Sequence, residues 1–287
     1  MDPLSQHPVK NISIHSLDYR YIEKGEGPTI IFLHGFPDLA HTWDESIESF
    51  SKDYHCVAPY LRGYYPTGIP ENGDYRIKTI AEDIQELADQ LGIERFYLVG
   101  QDWGASVVYA IMNLCPDRVI KAVTVAIPHP RVLKADLITL YKARHFWRFS
   151  TPARSLTYTR KNNFHYLDVL YKRWSPTWKN YQETSDQVKA TFAKEGRLEA
   201  ALGYYYSFYE NRSNKELLRF YGKIQEIPLL AMAGKKDGAL VLDPFYKMEE
   251  KMKAEFKLVI HEEAGHFLHR EVPDFFIQEV QKFLAPS

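Results

Sequence analysis

The stretch Gly100-Gln101-Asp102-Trp103-Gly104 sets a carboxylate between two glycines, directly after the apolar run "RFYLVG" at 95–100. A strand, a G-x-nucleophile-x-G turn and a helix make a nucleophile elbow. The glycines are needed because the turn is sharp and its neighbours crowd one another. The nucleophile falls at a helix N-terminus, where partial positive charge favours an anion. By itself the pattern also describes an ordinary aspartate near a helix start. Three further pieces stand in order along the chain. "FLHGFPD" places Phe36 in a turn that can aim its N–H at the point faced by the Trp103 N–H, and two such groups make an oxyanion hole. "LLAMAGKKDGAL" sets Asp237 just beyond an apolar run, with Asp243 as the fallback acid, and "HEEAGHFLHREVPDFF" sets His266 in a loop after the last run. His34 reads as a brace for its own turn. His261, His266 and His269 lack H-E-x-x-H spacing, so no metal is expected.

These residues need a scaffold that holds strand ends side by side. Short apolar runs at 29–34, 55–59, 95–100, 121–127, 228–234 and 256–261 alternate with helical patterns. That alternation predicts an α/β fold with a mainly parallel, doubly wound sheet. "SIHSLDYRYIEKGEG" reads as an antiparallel hairpin on the sheet edge. "IAEDIQELADQLG" at 80–92 reads as an amphipathic helix stopped by glycine. From Pro128 to about Gly222 the alternation ceases, and Tyr-, Trp- and Arg-rich helical patterns take over. The predicted organisation is a core of 1–130 and 222–287 with a helical lid of 131–221 inserted between core strands. Helices are expected at 136–149, 163–174, 184–196 and 197–210, and "EEKMKAEFK" is expected to be a solvated helix face.

The chain has 287 residues, enough for a sizeable core, with 36 Lys and Arg against 37 Asp and Glu. This near-balance gives no reason to expect nucleic acid or a membrane as partner. Two cysteines provide no disulfide framework and suit a reducing compartment. The opening "MDPLSQHPVK" lacks a signal-peptide core, and no apolar run approaches the ~20 residues that span a bilayer. The expectation is a soluble cytoplasmic protein, monomer or homodimer. Aromatic residues make up 14%, including 20 Tyr, which suggests an aromatic-lined pocket or an aromatic-rich core.

"HGFP", "LRGY", "QDWGA", "IPHP" and "AGHFLHRE" together resemble the α/β-hydrolase fold, in its branch of epoxide hydrolases and their haloalkane dehalogenase relatives. The resemblance implies Asp102 as nucleophile, Asp237 as acid and His266 as base, with no cofactor. Attack by a carboxylate on a carboxylic ester would give an anhydride. Attack on an sp3 carbon bearing a leaving group gives an ordinary alkyl ester, which a histidine-activated water can hydrolyse. The substrate is therefore expected to be a small apolar electrophile, an epoxide or an alkyl halide.

An epoxide oxygen leaves as an alkoxide and needs an acid, whereas a halide needs only weak donors. Haloalkane dehalogenases usually carry Asn or Glu where this chain has Phe36, and fluoroacetate dehalogenases need arginines beside the nucleophile. Epoxide hydrolases donate from two lid residues. The resemblance assigns one to Tyr205 in "ALGYYYSFY", with Tyr204 and Tyr206 as alternatives, and the other to His145. Trp103, Trp147 and Tyr204 are the expected substrate-binding side chains. Trp147 also reads, with Trp174 and Trp178, as lid core. The expected reaction is opening of epoxides to vicinal diols. The alternatives are dehalogenation on the same Asp102, or a non-catalytic small-molecule binder on the same fold.

Overall fold

All six apolar runs become mutually parallel strands of one eight-stranded sheet in the computed structural model, which describes residues 5–133, 136–223 and 226–285. The hairpin β1 (Val9–Ile14) and β2 (Leu17–Lys24) forms the antiparallel edge, with Val9 opposite Ile22. The parallel strands are β3 (Thr29–Leu33), β4 (His55–Pro59), β5 (Phe96–Gln101), β6 (Val119–Val125), β7 (Leu229–Gly234) and β8 (Phe256–His261). Their spatial order is β1-β2-β4-β3-β5-β6-β7-β8. β3 and β7 are buried at every residue, as strands covered on both faces must be, whereas the edge strand β8 is half-buried throughout.

Helices α1 (Asp44–Phe50), α2 (Ile77–Gln90) and α3 (Trp103–Leu114) belong to the sheet layers. α2 buries Ile80, Ile84, Leu87 and Ala88 at helical spacing, and it stops before Gly92, whose φ is +67°. α3 follows β5 directly and is buried along almost its whole length.

Between β6 and β7 the described residues hold helices and no strand. These are α4 (Leu137–Lys142), α5 (Arg144–Arg148), α6 (Pro152–Trp174), α7 (Tyr181–Phe192), α8 (Arg197–Asn211) and α9 (Lys215–Tyr221). Two details differ from the sequence patterns. The single helix expected at 136–149 bends at Ala143 (φ −78°, ψ 15°), which leaves Leu137 and Ile138 exposed while His145 is buried. The helix expected from 163 begins at Pro152 and is kinked at 161–164, where Asn162, Asn163 and Phe164 have positive φ.

After β7 come α10 (Asp243–Tyr246), α11 (Leu268–Glu271) and α12 (Pro273–Leu284). "EEKMKAEFK" is not a helix face. A single 3-10 turn at Glu249–Lys251 leads into β8, because Phe256 and Leu258 are taken up by strand pairing with β7. No helix of the described residues is long and apolar enough to cross a membrane.

Candidate active site

Asp102 has φ 52° and ψ −121°, a conformation that side-chain-bearing residues rarely adopt. The elbow holds it there from both sides. The Asp102 N–H donates to Val125 O at the end of β6, and the Asp102 carbonyl accepts from Ser106 N–H. Space around the turn is exhausted: a Cβ on Gly104 would stand 2.1 Å from Leu33 O, and one on Gly35 would stand 2.4 Å from Asp102 Cβ. The elbow and the turn after β3 therefore press backbone on backbone. This contact brings the Phe36 N–H to donate to Asp102 Oδ1 at 2.9 Å. The Trp103 N–H opens α3, so it has no partner within the helix.

The other carboxylate oxygen faces the histidine. His266 Nε2 lies 3.4 Å from Asp102 Oδ2, and His266 Nδ1 donates to Asp237 Oδ2 at 2.8 Å. Asp237 is fixed in turn, since its Oδ1 accepts from the Ala239 and Leu240 N–H groups at 2.6 and 3.0 Å. All three side chains are nearly sealed from solvent. Burial opposes charge on His266, but the Asp237 and Asp102 carboxylates overcome it and raise its pKa to about 10. Asp243 is exposed at the start of α10, so geometry selects Asp237 over it.

His34 Nδ1 donates to Gly35 O, and its Nε2 accepts from the Leu61 N–H at 3.0 Å. Burial lowers its pKa to about 3, which keeps the ring neutral and both bonds intact. It braces the turn that presents Phe36.

Near Asp102, Tyr205 packs edge-on against Trp103 (centroids 5.0 Å) and Phe36 (5.3 Å). Burial, aided by the Asp102 carboxylate, raises its phenol well above the usual range, so it stays protonated. The flanking tyrosines turn elsewhere. The Tyr204 hydroxyl donates to Arg62 O at 3.0 Å, and the Tyr206 hydroxyl bonds the Ser155 hydroxyl. His145 is buried, with its ring 6.0 Å from that of Tyr205 and 4.7 Å from that of Trp174. Burial and Arg173, whose Nη2 lies 3.4 Å from His145 Nδ1, hold its pKa well below normal.

Comparison with known proteins identifies the fold family. The alpha/beta hydrolase fold family matches residues 28–271. This chain belongs to the α/β-hydrolase fold family. It is 27% identical to human "Epoxide hydrolase 4" over 296 residues, covering 99% of this chain and 80% of that protein. It is 26% identical to "Epoxide hydrolase A" of Mycobacterium tuberculosis, covering 96% of each. Among solved structures, an epoxide hydrolase of Vigna radiata is 26% identical, with a TM-score of 0.82 over 96% of this chain and 97% of that one.

Within this α/β-hydrolase the structure brings Asp102, His266, Asp237, Phe36, Trp103, Tyr205 and His145 into one cluster. It does not bring Trp147 or the Tyr204 hydroxyl there. Trp147 is 59% exposed, with the Arg154 guanidinium 3.6 Å from its ring, and so it is neither lid core nor a pocket wall. The Tyr204 hydroxyl is spent on Arg62.

Other site residues escaped the sequence patterns. Phe146 packs on Tyr205 at 5.1 Å and on Trp103 at 6.0 Å. The Trp174 carbonyl, at the end of α6, accepts from both the His266 N–H (3.0 Å) and the Gly238 N–H (3.2 Å). That carbonyl clips the histidine loop to the acid loop. No sequence signal marks a backbone acceptor.

Proposed function

We propose that this epoxide-hydrolase-like enzyme opens epoxides to vicinal diols through a covalent ester on Asp102. The observation that carries the reading is the line Asp102–His266–Asp237 beside the buried Tyr205, whose ring packs on Trp103 and Phe36. A carboxylate oxygen of Asp102 attacks a ring carbon, the C–O bond breaks, and the ring oxygen takes a proton from Tyr205, with His145 as second donor. His266 then takes a proton from water, and the hydroxide adds to the Asp102 carbonyl carbon. The Phe36 and Trp103 N–H groups receive the resulting oxyanion; as it collapses, the proton of the added hydroxyl passes to the departing alkoxide, which frees the diol and restores the carboxylate. The helical segment of 131–221 serves as the lid that shuts this chemistry from water, over a core of 1–130 and 222–287.

Electrostatics supports two steps on one histidine. With both carboxylates ionised, His266 is held as a cation, a poor base. Ester formation at Asp102 removes one of the two negative charges, so the His266 pKa falls, its proton returns to the Tyr205 phenolate left by ring opening, and the neutral ring becomes a base when hydrolysis needs one.

The test is to separate the steps. His266→Gln should still alkylate but not hydrolyse. Intact-protein mass spectrometry should show the enzyme plus one epoxide, mapped to the peptide carrying Asp102. Absence of this adduct, while wild type turns the same epoxide over, would refute the mechanism. Adducts from 1-bromobutane but from no epoxide would move the enzyme to dehalogenation.

A further inference from the structure

We propose that the outer face of α4 and α5 docks on an anionic lipid bilayer. The enzyme would then draw lipophilic epoxides from that surface, a consequence that rests on the function proposed above. Leu137, Ile138, Leu140, Tyr141 and Trp147 are 85%, 66%, 58%, 67% and 59% exposed. So many large apolar side chains on one short segment mark an interaction surface. The same segment is strongly basic. Residues 137–154 hold Lys142, Arg144, Arg148 and Arg154 and no Asp or Glu, in a chain of 36 basic and 37 acidic residues, so the rest of the chain is net acidic. The overall balance of charge conceals this asymmetry.

The two kinds of residue are interleaved. The Arg144 guanidinium lies 4.3 Å over the Tyr141 ring, and that of Arg154 lies 3.6 Å over Trp147. Arg148 lies over Tyr158 at 4.6 Å. None of these three arginines has a carboxylate partner among the described residues. Apolar side chains with Trp and Tyr beside unpaired arginines suit the boundary between acyl chains and anionic headgroups. A second copy of this chain suits it less, because a two-fold interface would set each cationic patch against itself.

The inner side of this segment leads to the site. His145 and Phe146 pack on Tyr205, and Lys142 Nζ donates to the carbonyls of Asp237 (2.6 Å) and Leu240 (2.7 Å). Phe208, 49% exposed, contacts both Phe146 (5.3 Å) and Trp103 (6.5 Å). A line of packed rings thus links exposed Phe208 and Phe146 of this segment to Trp103 beside Asp102.

Co-sedimentation of the full chain with phosphatidylcholine vesicles, with and without 30% phosphatidylglycerol, tests the proposal. Binding should require the anionic lipid and fall steeply with added salt. Leu137→Glu with Ile138→Glu should weaken it at least about tenfold. Arg144→Gln and Arg154→Gln should each weaken it about fivefold. Turnover of a water-soluble epoxide should be unchanged in all of these variants, which shows that they fold. Absence of binding, equal binding to neutral vesicles, or binding untouched by Leu137→Glu with Ile138→Glu would overturn the proposal. So would a dimer in sedimentation analysis that those two changes dissolve while vesicles are ignored. Vesicle binding as expected with no epoxide turned over would leave docking standing and refute the catalytic reading instead.

Discussion

Three successive tyrosines of α8 illustrate how much depends on one side chain's direction. About 100° of helix rotation separates each from the next, so Tyr204 points to Arg62, Tyr205 to Trp103 beside Asp102 and Tyr206 to Ser155. Their expected losses differ accordingly. Tyr205→Phe keeps the ring and removes only the hydroxyl donor at the ring oxygen. Single-turnover alkylation of Asp102 by an epoxide should slow roughly 10²- to 10³-fold, the effect of losing one hydrogen bond to developing charge. Tyr204→Phe should leave that rate within a few-fold and cost about 1 kcal/mol of stability, because it deletes only the bond to the Arg62 carbonyl. Rapid-quench mass spectrometry and urea unfolding of the two variants separate these outcomes. Equal rates in wild type and Tyr205→Phe would remove Tyr205 from the mechanism.

At the scale of elements, the decisive contact is between the elbow and the β3 turn. The Phe36 N–H reaches Asp102 only because no side chain stands between β3 and the start of α3. Gly104→Ala would set a Cβ 2.1 Å from a strand carbonyl, which cannot swing aside as a side chain can. It should destabilise by about 3 kcal/mol or more, at the upper end of overpacking costs. Thermal unfolding measures the loss. The activity of whatever fraction folds should fall further, because the two N–H groups no longer converge. A Gly104→Ala enzyme of wild-type stability would show that the two turns are not in contact.

Across the whole molecule, buried histidines set the response to pH. Burial lowers the pKa of His34 to about 3 and those of His41 and His129 to about 4, and it holds His145 and His269 well below normal. In the unfolded chain all five titrate near 6.5. Their neutral forms therefore favour the folded state above pH 6.5, and that advantage is lost as pH falls below it. Asp38, raised to about 6 by burial, offsets part of the loss as it takes up a proton. His266 acts in the other direction. Its stabilisation is complete below pH 6.5 and is lost as pH rises toward 10. Stability should therefore peak near pH 6.5 and fall on both sides. Calorimetric Tm values at pH 5, 6.5 and 8.5 check this, and a Tm higher at pH 5 than at 6.5 would show that the histidines are not neutral.

Sequence alone determined the strands and marked Asp102, Asp237 and His266 as site candidates, because both signals are local. A strand buried on both faces must be a continuous apolar run, and β4 stands at the residues its pattern marks, as does the half-buried edge strand β8. An elbow needs glycines at fixed offsets, so Asp102 was legible from its five-residue neighbourhood, and His266 from its place after the last strand. Asp237 is preferred to Asp243 from its place just beyond a strand, and the structure sets it against His266 while Asp243 is exposed. The helices between β6 and β7 were legible as helices, but not in their facing. Helical periodicity does not say which side meets the core when aromatics occupy every side, as in "HFWRF" and "GYYYSFY". Trp147 is thus outside and Phe146 inside, one residue apart. The pairing of Tyr205 with His145, and of the Trp174 carbonyl with the His266 and Asp237 loops, joins residues distant in sequence. Only tertiary packing decides such pairs, since no local rule carries the orientation of a helix over a sheet.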